Sequence, residues 1–314
     1  MNIHLAPMEG IIDQHMRAIL TEVGGFTSCV TEFIRVVDRL HPKSVFYRYC
    51  PELLHGGTTA SEVPVIVQLL GGIPEVVAMN ARRAANLGAH GIDINFGCPS
   101  RFVNRKAGGA ILLKQPERVN HIVNAVRKAV PEPIPVSAKI RLGYDDTALA
   151  LDNAHAVEDA GASFITVHAR TKADGYKPPA RWQWLTTIND ALKIPVIANG
   201  DILNRQDYLR CFEMTGCKDI MIGRGALRNP DLALKIKQPE ITAYQWPQIH
   251  QLCNDLYWRL NKQPGISPEK VLGRIKQWLS HLRLAHEEAH QAFNEVRKFR
   301  ELTTLEQWLK VYPG

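Results

Sequence analysis

No apolar run in the sequence approaches the roughly 20 residues needed to span a bilayer, and mean hydropathy is -0.17. No membrane-spanning helix is expected on that count. The six cysteines, Cys29, Cys50, Cys98, Cys211, Cys217 and Cys253, are too sparse for a disulfide scaffold and contain no CxxC pair of the kind that holds zinc. They read as reduced thiols, and no metal site is expected. The amino terminus MNIHLAPMEG lacks a basic stretch followed by an apolar core, so no secretion signal is expected and a cytoplasmic address is the default. Low-complexity segments and internal repeats are missing as well, and hydrophobic content of 45% excludes a disordered chain.

What the chain does contain is an alternation. Eight short runs rich in β-formers lie at 3–8, 29–33, 65–70, 92–95, 136–140, 164–168, 196–199 and 220–222. Between them, 75–87, 116–130, 148–160, 182–192 and 205–215 show helical periodicity bounded by Pro, Asn or Gly. Eight such units within about 240 residues match an α/β (β/α)8 TIM barrel, with a doubly wound open sheet as the competing arrangement. The barrel is preferred because Gln68, Asn95, Lys139, His168, Asn199 and Gly223 stand where runs end. In a barrel those ends meet at one mouth.

After Pro239 the pattern turns helical, with Trp246, Trp258, Trp278 and finally Trp308. The predicted organisation is a TIM-barrel domain over 1–240 and a C-terminal all-helical domain over 241–314. Its clearest helix, 271–283, gathers Val271, Leu272, Ile275, Trp278, Leu279 and Leu282 within an arc of about 120°. Arg283 and Lys276 border that stripe on one side and Arg274 on the other. A cationic border is ordinary for a surface helix and also suits RNA contact, so both readings stand. The net charge of +7 is concentrated: 101–141 holds nine Lys/Arg against two Asp/Glu. Such a block is either a phosphate or nucleic-acid footprint or a solvated helix face with its loop.

The stretch GIDINFGCPSRFVNRKAGGAILL places Cys98 just beyond a strand, in a turn between Gly97 and Pro99. Cys98 is therefore the candidate reactive thiol; with an ordinary pKa of roughly 8.5 it is protonated near neutrality and can donate a proton. Cys29 and Cys211 suit apolar filling instead. Gly108 and Gly109 let the chain turn closely, beside Arg105 and Lys106. In SAKIRLG the period of two puts Lys139 and Arg141 on one face, and one of them is expected to enter the mouth. TVHART brings His168 to the same rim. VIANGD and IMIGRGAL each run from strand into glycine turn, where TIM barrels bind phosphate through backbone N–H groups, and Arg224 adds charge.

Taken in order over 3–230, APMEGIID, TEFIRV, VQLLGGIPE, DINFGCPS with AGGAILL, KIRLGYD, VHARTKADGY, IPVIANGDI and MIGRGALRNP resemble the tRNA-dihydrouridine synthase family. RIKQWLSHLR resembles its C subfamily, which acts on uridine 16 of the tRNA D-loop. The resemblance implies FMN in the barrel mouth, NADPH as reductant, hydride transfer to carbon 6 of uracil and tRNA as partner, in a monomer without an obligate protein partner. It implies Pro7 and Met8 along the flavin ring, with Gln68 and Lys139 bonded to its polar edge. His168 is placed near the cofactor, and Asn199, Gly200, Asp201, Gly223 and Arg224 around the ribityl chain and phosphate. Cys98 becomes the proton donor to carbon 5, while Arg35, Asn95 and Tyr176 fall at substrate positions. Glu9 stands where most relatives have a small residue, matching the C-type pattern and counted with the cofactor site. Ala169 replaces a commoner glycine and is expected to add a methyl near the flavin. Arg274, Lys276, Arg283 and the 101–141 block become candidate tRNA contacts, supplying binding energy against the few kcal/mol that flipping a base costs.

Three other readings remain at this point: an FMN barrel similar to dihydroorotate dehydrogenases acting on a free pyrimidine, a non-catalytic RNA-binding barrel, and Cys98 as a covalent nucleophile. No Rossmann fingerprint is present to decide between NADPH and NADH.

Overall fold

The computed structural model describes residues 1–104 and 108–310, with nothing stated for the Arg101 side chain. Among these, β1 (Ile3–Leu5), β2 (Ser28–Val30), β3 (Ile34–Arg35), β4 (Val65–Leu70), β5 (Ile92–Phe96), β6 (Val136–Gly143), β7 (Phe164–Thr171), β8 (Val196–Asn199) and β9 (Ile220–Ile222) form one parallel sheet. β1 pairs with both β2 and β9, and β2 pairs with β4, so the sheet closes into a barrel. One stave is broken. The run expected as a single strand over 29–33 splits into β2 and β3, both on β4, because Thr31 turns its hydroxyl to accept the Gln68 N–H at 3.0 Å. Glu32 and Phe33 leave the ladder there and face the barrel mouth.

The alternation of strand side chains then divides the interior. In β5 to β7 the apolar set Ile92, Ile94, Phe96, Val136, Ala138, Ile140, Ile165, Val167 and Ala169 joins the main hydrophobic cluster with the surrounding helices. The other parity carries Asp93, Asn95, Ser137, Lys139, Arg141, Thr166 and His168 into the barrel, with Asn95 opposite Lys139 and Arg141 opposite His168. Ala169 therefore points into the outer core, and its methyl is not at the cavity, contrary to the sequence expectation.

The helices Pro74–Asn86, Pro116–Ala129, Ala150–Asp159, Gln183–Ala191 and Arg205–Thr215 fall within a residue or two of the predicted spans. Beyond the barrel lie Trp246–Asn261, Pro268–Leu282, Glu287–Val296 and Leu302–Leu309. Pro268–Leu282 starts on Ser267, which caps the Lys270 N–H, followed by proline at the first helical position, where no N–H is needed. Its predicted apolar stripe is buried and belongs to the same cluster as the barrel core, so these helices are seated on the barrel. Trp278 fixes the seat by donating its indole N–H to the Leu227 carbonyl at 3.1 Å. No described helix is long and apolar enough to cross a membrane.

Candidate active site

The carboxyl ends of the strands open onto a cavity of about 580 Å³. Pro7, Met8, Glu9, Gln68, Lys139, His168, Asn199, Gly200, Asp201, Gly223 and Arg224 all line it, together with Asn95, Cys98 and Tyr176. Arg141 lines it too, so both cations of the SAKIRLG motif reach the mouth.

Its floor is a hydrogen-bonded chain rooted in Asp93, which is buried and accepts from Ser137 Oγ and Gln68 Nε2 at 2.7 Å each. Gln68 in turn accepts from Asn95 Nδ2 at 2.8 Å. Lys139 Nζ donates to Asn199 Oδ1 at 2.9 Å, and Asn199 Nδ2 donates to the Met221 carbonyl at 2.8 Å. Burial, helped by the Arg141 charge and opposed by Asp93, pulls the Lys139 pKa down to about 8. The ammonium is still charged at neutral pH. His168 is held well below its ordinary value by burial and by the surrounding Arg141, Lys139, Arg170 and Arg224, so it is a neutral imidazole.

Cys98 sits above this floor, 8% exposed. Asn95 Oδ1 accepts from the Gly97 and Cys98 N–H groups at 2.9 Å each, which winds the turn. The Cys98 carbonyl accepts from the Ala110 N–H and Asn104 Nδ2, both at 3.2 Å. Gly109 closes the back of the turn at φ +70°, where a Cβ would lie 3.0 Å from the Cys98 oxygen. Burial raises the thiol pKa and the Glu9 charge adds to it, with the Ser100 N–H and Arg141 opposing. The thiol is protonated at neutral pH.

At the other end, Asp201 joins two guanidiniums. Arg170, fully buried, pairs with Oδ2, and Arg224 lies 3.3 Å from Oδ1. Asp201 adopts φ +54° and follows Gly200, also in positive φ, whose carbonyl accepts the Trp182 indole N–H at 2.9 Å. Tyr176 stands 55% exposed at the rim, with the Arg141 and Arg224 guanidiniums 5.3 and 5.2 Å from its ring centre. Guanidiniums beside an exposed aromatic make a platform on which a planar base can stack.

The cations assigned to an RNA surface are arranged differently from expectation. Arg274 is buried, bonded to the Gly10 and Ile11 carbonyls and to Asp13. Lys276 donates to the Phe299 carbonyl at 2.6 Å, and Arg283 lies 4.3 Å from the Phe293 ring centre. Their charged ends serve the packing of their own neighbourhood. The 101–141 block is also no single face: Lys139 and Arg141 point into the barrel, Lys114 pairs with Asp145, and Arg118 and Arg127 bond to nearby carbonyls. Arg105 and Lys106 lie outside the described residues. Arg35, on β3, lies outside the cavity with its guanidinium 4.4 Å from the centre of the exposed Phe102 ring.

Sequence reasoning did not single out Glu32, Phe33, Arg170 or His281, all of which belong to this region. Arg170 carried a signal, being two residues beyond His168 on the inward parity of one strand. His281 carried none, because it comes from the helix Pro268–Leu282 and reaches the cavity only through tertiary packing.

Comparison with known proteins adds to this geometry. Residues 4–310 match the family described as "Dihydrouridine synthase (Dus)". A tRNA-dihydrouridine(16) synthase of Shewanella oneidensis is 50% identical over 300 residues, covering 96% of this chain and 94% of the other. One from Pseudomonas syringae is 48% identical over 95% of each chain, and one from Haemophilus influenzae 47% identical over 95% of each. Among solved structures, an old yellow enzyme homologue from Zymomonas mobilis is similar with a TM-score of 0.54 at 12% identity, covering 78% of this chain and 91% of that one. A 2-naphthoyl-CoA reductase complex has a TM-score of 0.58 at 13% identity over 76% of this chain and 50% of that longer one. At such identities these two speak for the fold alone.

Proposed function

The chain belongs to the dihydrouridine synthase family, and on that premise we propose that it reduces a uridine in tRNA to 5,6-dihydrouridine, with uridine 16 of the D-loop as target. Similarity over nearly the whole chain to enzymes named for position 16 supports the choice of uridine. The observation that carries the chemistry is a protonated, partly screened thiol beside a cationic floor in one cavity.

The donor set fits FMN. Pro7 and Met8 offer an apolar wall, and Gln68 and Lys139 offer polar groups to a ring edge. Arg224 stands among the glycine turns at 200 and 223, and Gly200 adopts φ +124° with a Cβ position 3.2 Å from Ala180 and His168, so a side chain there would be strained and crowded. When bound, the flavin supplies to carbon 6 of uracil a hydride that originates on NADPH. Cys98 gives its thiol proton to carbon 5, and the thiolate left behind is reprotonated from water. Both electrons thus come from the nicotinamide, and the base keeps its connectivity. Lys139 stabilises negative charge at the ring edge through its ammonium. Asn95 keeps Cys98 at its station, and Tyr176 receives the face of the extruded base.

In this reading the barrel of 1–240 performs the reduction and the helices of 241–314 help to seat the tRNA, in a cytoplasmic monomer. Arg35 with Phe102 is the better-placed external contact, since the charged ends of Arg274, Lys276 and Arg283 are engaged. The deciding experiment is a visible spectrum of freshly purified protein, repeated after NADPH and then after unmodified tRNA without oxygen. A flavin band that bleaches with NADPH and returns only with tRNA is the expected result. Protein that stays colourless after supply of FMN refutes the proposal.

A further inference from the structure

The Met8–Asp13 segment after β1 presents Met8 and Glu9 to the cavity, and it is a turn closed on itself: the Ile11 and Ile12 N–H groups donate to the Met8 carbonyl at 3.1 and 2.9 Å. Arg17 of the following helix donates to the Ile12 carbonyl at 3.1 Å, and further holds on the turn come from distant parts of the chain. The Gly10 peptide is gripped from both sides, its N–H by Glu32 Oε1 and its carbonyl by Arg274 Nη1 at 3.0 Å. Arg274 Nη2 also reaches the Ile11 carbonyl at 2.7 Å and Asp13 Oδ2 at 2.9 Å. Asp13 in turn caps the helix Gln14–Val23 through Oδ1. Gly10 itself, at φ +75°, has nothing within 4 Å of where a Cβ would stand, so hydrogen bonds and not packing fix its place.

We infer that Arg274 is a positioning residue for the cavity wall, through which the helix Pro268–Leu282 fixes Pro7, Met8 and Glu9 against the flavin. The inference rests on the flavin reading above. It gives the C-terminal helices a part in the reduction site that is independent of any contact with RNA. The same helix offers an internal control, because Lys276 ties it to the Phe299 carbonyl, within the C-terminal helices.

The test is FMN affinity, by fluorescence titration of apoprotein, with visible spectra of the reconstituted forms. Arg274→Gln removes the charge and the paired contact, and FMN binding is expected to weaken about tenfold, with displaced absorption maxima, from the loss of one to two net hydrogen bonds. Lys276→Met removes the bond to Phe299 while keeping most of the aliphatic stem, and should change affinity less than about twofold. Arg274→Lys should recover part of the loss. If Arg274→Gln does not fold, Asp13→Asn keeps the helix cap and removes the ion pair, and a weakening of about threefold is expected. Equal affinity in wild type and Arg274→Gln, or equal losses in Arg274→Gln and Lys276→Met, overturns the role while leaving the flavin reading intact. Wild-type protein that takes up no FMN overturns both.

Discussion

Removing the Cys98 thiol should separate the two halves of the reaction. The side chain is 8% exposed, and burial and the Glu9 charge raise its pKa above the ordinary thiol value. At pH 7 it is therefore protonated. A positioned general acid contributes about 10² to 10⁴ in rate, so Cys98→Ala should lower dihydrouridine formation by at least two orders of magnitude. Deleting one sulfur from this buried turn costs roughly 1 kcal/mol of stability, and the fold should survive. The assay mixes pre-reduced enzyme with unmodified tRNA in the absence of oxygen and follows flavin reoxidation in one turnover, with reduction by NADPH measured separately. Only the first of these rates should fall. In the wild type it should be flat over about pH 6 to 7 and decline as pH rises, first as Lys139 loses its charge near its value of about 8 and then through the raised thiol pKa, because the ammonium and the thiol are both needed. Glu9→Gln lowers that pKa and should move the decline to lower pH. A rate that climbs with pH as thiolate forms, or a Cys98→Ala enzyme within twofold of wild type, would refute the proton-donor argument.

Acid should destabilise the barrel through His4, which is buried with Nδ1 2.7 Å from Ser28 Oγ and whose pKa is lowered by burial from 6.5 to about 4. Since the folded value lies below the unfolded one, the unfolded chain binds the proton first: stability is full above pH 6.5 and is lost as pH falls toward 4. Between pH 6.5 and 5 this is ~2 kcal/mol, to be read as the difference in urea stability between wild type and His4→Gln at the two pH values; parallel behaviour of the two proteins would contradict it. Arg170→Met leaves Asp201 without its buried partner, and a loss of about 3–5 kcal/mol in chemical denaturation is expected; a loss under 1 kcal/mol would show that Arg224 suffices. Gly200→Ala puts a side chain at φ +124° and within 3.2 Å of His168 Cδ2, so calorimetry should show at least ~1 kcal/mol of destabilisation and titration a weaker grip on FMN.

Much of the fold was legible because strand parity and turn residues act locally. The runs at 92–95, 136–140 and 164–168 became β5, β6 and β7, and parity put Lys139 and Arg141 on one face, although only one was expected in the mouth where both are found. Parity likewise turns Ala169 outward, into the core between strand and helices, which the family resemblance does not convey. The break between β2 and β3 was not legible, since it depends on Thr31 meeting Gln68 from a strand more than thirty residues away. The charge block over 101–141 shows a further limit. Closeness in sequence predicted a common surface, whereas a strand, a helix and loops sent its members in different directions. Arg274 was visible as a cation beside an apolar stripe, but the carbonyls that engage it lie some 260 positions earlier in the chain.

Arg141 ties together parts of the mouth that the chain delivers separately. Its Nε holds the Gly97 carbonyl at 2.8 Å, beside Cys98, while Nη1 holds the Thr171 and Gly175 carbonyls at 3.0 Å each, next to Tyr176. The loops after β5 and β7 are therefore one mechanical unit, and a sequence change in either is felt in the other. Grafting one of these loops from a relative should fail where exchanging both together succeeds, and substitutions in the pair should be non-additive. A single guanidinium makes the two loops inherit as one module.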